Sequence, residues 1–117
     1  MNFIVQTVLS QKYSLVAVPD VFQGMNELKR NEIELIIIDI DYHTQENWDF
    51  IQHIKTSGFY MHTPVVILTS NGNWQNEVAG DCEVDGCFYK PFSPQDMASN
   101  IDELMERNFA KLRSINL

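Results

Sequence analysis

Three side chains able to do chemistry stand at the ends of three apolar runs. Glu32-Ile-Glu-Leu-Ile-Ile-Ile-Asp-Ile40 is a near-continuous apolar stretch that stops on Asp39. Pro64-Val-Val-Ile-Leu68 runs into Thr69 and Ser70, and Gly86-Cys-Phe-Tyr89 runs into Lys90 and Pro91. If these runs are buried parallel strands, one edge of one sheet carries Asp39, Thr69 and Lys90, in the crevice where open α/β sheets collect ligands. A carboxylate placed there can attack phosphorus, provided the charge spread over the transferring oxygens is neutralised, as a lysine and a divalent cation would do. A hydroxyl on the neighbouring strand end can donate to the new phosphoryl oxygen and so register its presence. The plainer alternative is that Asp39 caps a loop, Thr69 merely ends a strand and Lys90 simply pairs with Asp39. For one residue alone that alternative is preferred; for three at matching strand ends, a site is preferred.

The elements that must position these residues follow from length, charge and periodicity. At 117 residues the chain fits one domain, residues 1–117, that buries roughly two thirds of its unfolded surface and leaves no room for a second effector domain. Lys plus Arg number 8 against 16 for Asp plus Glu, a net charge of -8, which disfavours nucleic acid and anionic membrane as partners. No apolar run approaches a membrane span and the amino terminus has no charged stretch ahead of a long apolar core, so a cytoplasmic protein is expected. Cys82 and Cys87 are too few for a disulfide framework, no zinc site is completed around them, and both read as reduced thiols.

Apolar periodicity alternates between helical and strand-like, the pattern of an α/β domain with a parallel sheet. Ser14–Val18 reads as a short strand, and Asp20 as the N-cap of a helix with Val21, Phe22, Met25 and Leu28 on one face. The strand Ile33–Ile40 follows. Trp48, Phe50, Ile51 and Ile54 mark an amphipathic helix ending near Gly58, a residue suited to a left-handed cap. Pro64 opens the next strand. Asn71 to Cys82 holds two glycines and only Trp74, Val78 and Ala79 to define a face, so a short or frayed helix is expected. The last helix carries Ser93 as N-cap, Pro94 at its first position, Asp96 in its first turn and Met97, Ile101, Leu104, Met105 and Leu112 on one face. Lys111 and Arg113 favour its C-terminal end, it should cover the sheet, and it should stop near Arg113.

With these elements placed, the chain resembles the receiver domains of bacterial two-component response regulators, a flavodoxin-like (CheY-like) doubly wound parallel sheet. The matching stretches are Tyr13-Ser-Leu-Val-Ala-Val-Pro-Asp20, Glu34-Leu-Ile-Ile-Ile-Asp39, Thr63-Pro-Val-Val-Ile-Leu-Thr-Ser70 and, most specific, Tyr89-Lys-Pro-Phe-Ser-Pro94. They cover roughly residue 3 to residue 112. The resemblance implies that Asp39 is the phosphoacceptor, that Thr69 is the switch hydroxyl and that Lys90 pairs with the phosphoryl oxygens. It implies a histidine kinase or phosphotransfer protein as phosphodonor, Mg2+ as cofactor, and signalling by protein contact rather than by an enzyme activity of the chain's own. The partner surface would be the last strand and the start of the last helix, with Cys87, Phe88, Tyr89, Pro91 and Phe92.

Departures from the family pattern matter as much. Receivers begin with a central strand ending in two adjacent acidic residues that hold magnesium together with the phosphoacceptor, whereas Met1–Lys12 aligns with the family's first helix. The first strand would lie upstream of Met1. Asp39 is then the one matched metal ligand, with Asp41 as a weak substitute for the pair, so magnesium should bind weakly or not at all. A central strand buries about four apolar side chains at roughly 1.5 to 3 kcal/mol each, comparable to a domain's net stability of about 5 to 15 kcal/mol. The gap therefore needs a repair. Residues 2–9 could supply a strand beside Ser14–Val18, or they stay helical and a second copy completes the sheet by strand exchange in a homodimer, or residues ahead of Met1 supply the strand. In the loop after Asp39, Asn47 stands in for the family's glycine and would tolerate left-handed geometry. His43 reads as a solvent-facing loop residue rather than a phosphoryl carrier or metal ligand. Cys87 stands where an aromatic switch residue is common, which puts the usual coupling from Thr69 to that residue in question. The runner-up function is accordingly a pseudo-receiver, an interaction module of the same fold that works without phosphorylation. A flavin-binding module of similar fold lacks the phosphate loop it would need.

Overall fold

The computed structural model describes residues 3–77 and 84–115. They fall into two compact units, Val16–Lys90 and Met1–Leu15 together with Pro91–Leu117.

The first unit is built on a three-stranded parallel sheet in the order β1-β2-β3, with β1 at Ile36–Asp39, β2 at Val65–Thr69 and β3 at Gly86–Tyr89. Register pairs Ile36 with Val65 and Asp39 with Leu68, then Val66 with Gly86 and Thr69 with Tyr89. All five residues of β2 are buried, as expected of the middle strand of a parallel sheet. A Cβ on Gly86 would stand 3.3 Å from Val66, so glycine permits the close approach of β3 to β2 there. Alternate side chains of the strands divide between the two faces. Ile36, Ile38, Val65, Ile67 and Cys87 share one core cluster with Ile51 and Ile54 of helix α3 (Thr44–Thr56) and with Met25 and Leu28 of helix α2 (Val21–Arg30). Helix α2 starts where the sequence predicts, with the Asp20 carboxylate accepting from the Gln23 amide at 2.8 Å.

Several expectations need correction. Ser14–Val18 is not a strand; it is irregular, and Leu15, Val16 and Val18 are exposed. Strand propensity describes fit to a pleated neighbour, and among the described residues β1, β2 and β3 pair only with one another. The strand predicted over Ile33–Ile40 is confined to Ile36–Asp39, because only these residues lie opposite β2. Helix α3 ends at Thr56 with Ser57 extended, and Gly58 takes no left-handed conformation. The left-handed residue of this unit is His43, at φ 50° and ψ 49°, whereas Asn47 lies inside α3. The short helix expected between Asn71 and Cys82 is present as α4 (Trp74–Glu77), in agreement with the sequence; Val78, Ala79 and Cys82 lie outside the described residues.

In the second unit, helix α1 (Phe3–Ser10) packs against helix α5 (Pro94–Ile115). Strand formation by residues 2–9 is thereby excluded for Phe3 onward, which takes the helical alternative. Ser93 caps α5 as predicted, its hydroxyl accepting from the Asp96 amide at 3.3 Å. Leu9 on α1 and Met97 and Ile101 on α5 are buried. Beyond α1, the Tyr13 hydroxyl donates to the Asp102 carboxylate and Lys12 lies 3.3 Å from the same carboxylate. Among the described residues no helix is long and apolar enough to cross a membrane.

Candidate phosphoryl-acceptor site

Asp39 is the last residue of β1, Thr69 is the last of β2, and Lys90 directly follows β3, so the parallel ladder delivers all three to its C-terminal edge. Backbone bonds fix that edge: the Ile40 amide donates to Leu68 O at 3.0 Å and the Lys90 amide to Thr69 O at 2.9 Å. Lys90 Nζ then lies 2.7 Å from Asp39 Oδ2, the pairing that the plainer alternative gives as well. All three residues therefore belong to one edge, but the Thr69 hydroxyl bonds to a residue other than Asp39.

The Thr69 hydroxyl instead donates to Asp41 Oδ1 at 2.7 Å. The same Asp41 carboxylate accepts from the Ser70 amide at 3.2 and 3.0 Å, from Ser70 Oγ at 3.0 Å and from Lys90 Nζ at 3.0 Å. Burial alone would push the Asp41 carboxyl up, but the hydrogen bonds from Thr69, Lys90 and Ser70 outweigh it and hold the group down at about 2. For Lys90, partial burial favours the neutral amine, and Asp39 and Asp41 more than offset it, keeping the ammonium charged. Lys90 Nζ also stands 5.8 Å from the ring centre of the exposed Tyr42.

Two residues that sequence reasoning did not place in the site hold its frame. Asn47 is buried, and its side-chain amide donates to Asp39 O at 3.1 Å and to Tyr42 O at 2.6 Å, closing the loop back onto the strand. Ser70 supplies the amide and hydroxyl that grip Asp41. Ser70 was visible as the polar neighbour of Thr69 at a strand end; nothing in the spacing of Asn47 marks its direction. The Asp41 amide donates to Asp39 Oδ1 at 3.1 Å, so each oxygen of Asp39 has a partner. His43 is exposed, at the N-cap position of α3, and its side chain caps nothing.

Among the expected partner-surface residues, Tyr89 is 48% exposed and its hydroxyl accepts from Trp74 Nε1 at 3.1 Å. Trp74 in turn stacks on Trp48, ring centres 5.4 Å apart. Cys87 is a half-buried free thiol, pushed up by burial despite hydrogen bonds from Tyr89 and Trp74, and Phe88 is half-buried. Pro91 is exposed and Phe92 half-buried, both in the second unit. A divalent cation does not fit the site as it stands. Its two carboxylates are both paired with Lys90, and among the described residues no group of three or more acidic, histidine or cysteine side chains could hold a metal.

An open parallel sheet with a lysine-paired aspartate at its C-terminal edge is the arrangement that the resemblance to receiver domains led us to expect. The sequence profile of the response regulator receiver domain matches residues 1–102, and the chain belongs to that family. It is 27% identical over 105 residues to the two-component response regulator PhoP of Pseudomonas aeruginosa, covering 89% of this chain and 46% of that protein. It is 30% identical over 93 residues to the phosphate regulon transcriptional regulatory protein PhoB of Escherichia coli, covering 79% of this chain and 41% of that protein. The chain thus spans less than half the length of these relatives. In fold it resembles the chemotaxis response regulator CheY4 of Vibrio cholerae, with a TM-score of 0.73 at 17% identity over 86% of each chain. A response regulator from Chloroflexus aurantiacus, described as putative, gives a TM-score of 0.75 at 16% identity, over 88% of this chain and 86% of that one.

Proposed function

We propose that this receiver accepts a phosphoryl group on Asp39 from a phosphohistidine of a histidine kinase or phosphotransfer protein in the cytoplasm, and signals as a single-domain regulator through protein contact. The observation that carries this reading is the convergence of three residues on the C-terminal edge of one parallel sheet, Asp39 and Thr69 closing β1 and β2 and Lys90 directly following β3. In the transfer, an Asp39 carboxylate oxygen forms a bond to phosphorus while the bond from phosphorus to the histidine nitrogen breaks. The electron pair of that bond leaves on the imidazole, and an acyl phosphate remains on Asp39. Lys90 keeps its charge throughout and stabilises the oxygens of the transferring group. The new negative charge then biases the surroundings of Thr69 and Lys90.

Intact mass after incubation with acetyl phosphate, with and without magnesium, tests the proposal. A single phosphoryl adduct in the wild type and none in Asp39→Asn is the expected result; no adduct on folded wild-type protein contradicts it. A second reading, a pseudo-receiver whose contacts need no phosphorylation, is favoured by Asp41, which already holds donors that a phosphoryl group would require. Under that reading Asp39→Asn leaves partner binding unchanged.

A further inference from the structure

Asp41 is the best-held carboxylate of the site. Thr69 Oγ1, Ser70 N, Ser70 Oγ and Lys90 Nζ converge on its two oxygens at 2.7 to 3.2 Å. Among the described residues Asp39 receives Lys90 Nζ and the Asp41 amide. A backbone amide, two hydroxyls and an ammonium make up a donor set of the kind that holds an oxyanion, and charge-assisted bonds of this sort are the strong ones. The set is built from the ends of β2 and β3, whereas its occupant comes from the loop after β1.

We propose that Lys90, Thr69 and Ser70 form an oxyanion site in which the Asp41 carboxylate is the resident ligand, so that an incoming oxyanion takes these donors only by displacing Asp41. That the natural oxyanion is a phosphoryl group on Asp39 rests on the function proposed above; the occupancy itself does not. Lys90 already bridges the two carboxylates, 2.7 Å from Asp39 and 3.0 Å from Asp41, so a group added to Asp39 meets the same ammonium. Thr69 is 1% exposed and its hydroxyl oxygen also accepts from the Asn71 amide at 3.0 Å. With water excluded, its donor must exchange one acceptor for another rather than be left idle. The Asp41 side chain is 20% exposed and its amide is anchored on Asp39, so the carboxylate can swing outward while the backbone stays in place. Phosphorylation would then be read as the release of Asp41 from Thr69 and Ser70, a change confined to the start of the loop after β1.

Inorganic phosphate is the probe, followed through the Ser70 amide in nitrogen-15 correlation spectra of the full chain. The wild type is expected to show no saturable shift at millimolar phosphate. Asp41→Ala should show one, with an apparent affinity at least about tenfold above the wild type, lost again when Lys90→Ala is added. Asp41→Asn keeps an acceptor oxygen but not the charge and should gain a smaller response, which serves if the alanine variant does not fold. Equal responses in wild type and variants, or none in folded variants, overturn the proposal. Phosphate binding makes no use of Asp39 as a nucleophile. Gain of binding in a protein that never forms an acyl phosphate would sink the proposed function and leave this site standing; an acyl phosphate on Asp39 without any gain in the Asp41 variants would do the reverse.

Discussion

His43 shows how a single residue sets the site. It holds φ 50° and ψ 49° directly ahead of α3, a conformation that costs a non-glycine residue roughly 1 to 2 kcal/mol. Its side chain is exposed and makes no cap, so nothing is lost by removing it. Glycine relieves the strain but adds about 0.4 to 1 kcal/mol of unfolded-chain entropy to be overcome, leaving His43→Gly more stable by up to about 1 kcal/mol in urea unfolding. A loss of stability would show that His43 contributes something beyond backbone shape. Asp39, Thr69 and Lys90 were legible because each ends an apolar run, and strand ends share an edge whatever the side chains do. The occupancy of Asp41 was not, because it depends on the turn at residues 40–42 and on which way the Thr69 hydroxyl points. Asn47 misled for the same reason: as a stand-in for glycine it was expected to take the left-handed position, yet it serves through its side-chain amide on Asp39 O and Tyr42 O.

At the scale of elements, periodicity located α2, α3 and α5, which record a single apolar face, and short apolar runs located the three paired strands. It failed at Ser14–Val18, where propensity was present but a hydrogen-bonding neighbour was not. It also could not show what ties α1 to α5. Burial first, then the hydrogen bond to Asp102 and the charges of Asp102 and Glu106, push the Tyr13 phenol up to about 12. A folded value above the unfolded one near 10 means that the contribution is complete below pH 10 and is lost as pH rises toward 12. Asp102 shifts the other way, held low by the hydrogen bond from Tyr13 and by Lys12, so its share is present at neutral pH and is lost as pH falls below the usual carboxylate range. Phenolate absorbance should show a late step from Tyr13 that Tyr13→Phe removes. Absence of any difference between the wild type and Tyr13→Phe at high pH would contradict the helix pairing described.

At the scale of the molecule, a net charge of -8 surrounds a site whose cation, Lys90, is shared by two carboxylates. Of the four stretches that carried the family resemblance, Tyr89-Lys-Pro-Phe-Ser-Pro94 was the most specific, because that run joins the site lysine to the cap of the last helix. Which acidic residue receives a phosphoryl group was less so, since Asp39 and Asp41 stand two apart and share the lysine. Reduction of the acetyl phosphate-treated protein with borohydride, which converts an aspartyl phosphate to homoserine, followed by peptide sequencing in the mass spectrometer, separates them. Homoserine at position 39 in the wild type, with none at position 41 and none in Asp39→Asn, is the predicted result; homoserine at position 41, or at neither position in folded protein, would contradict the account.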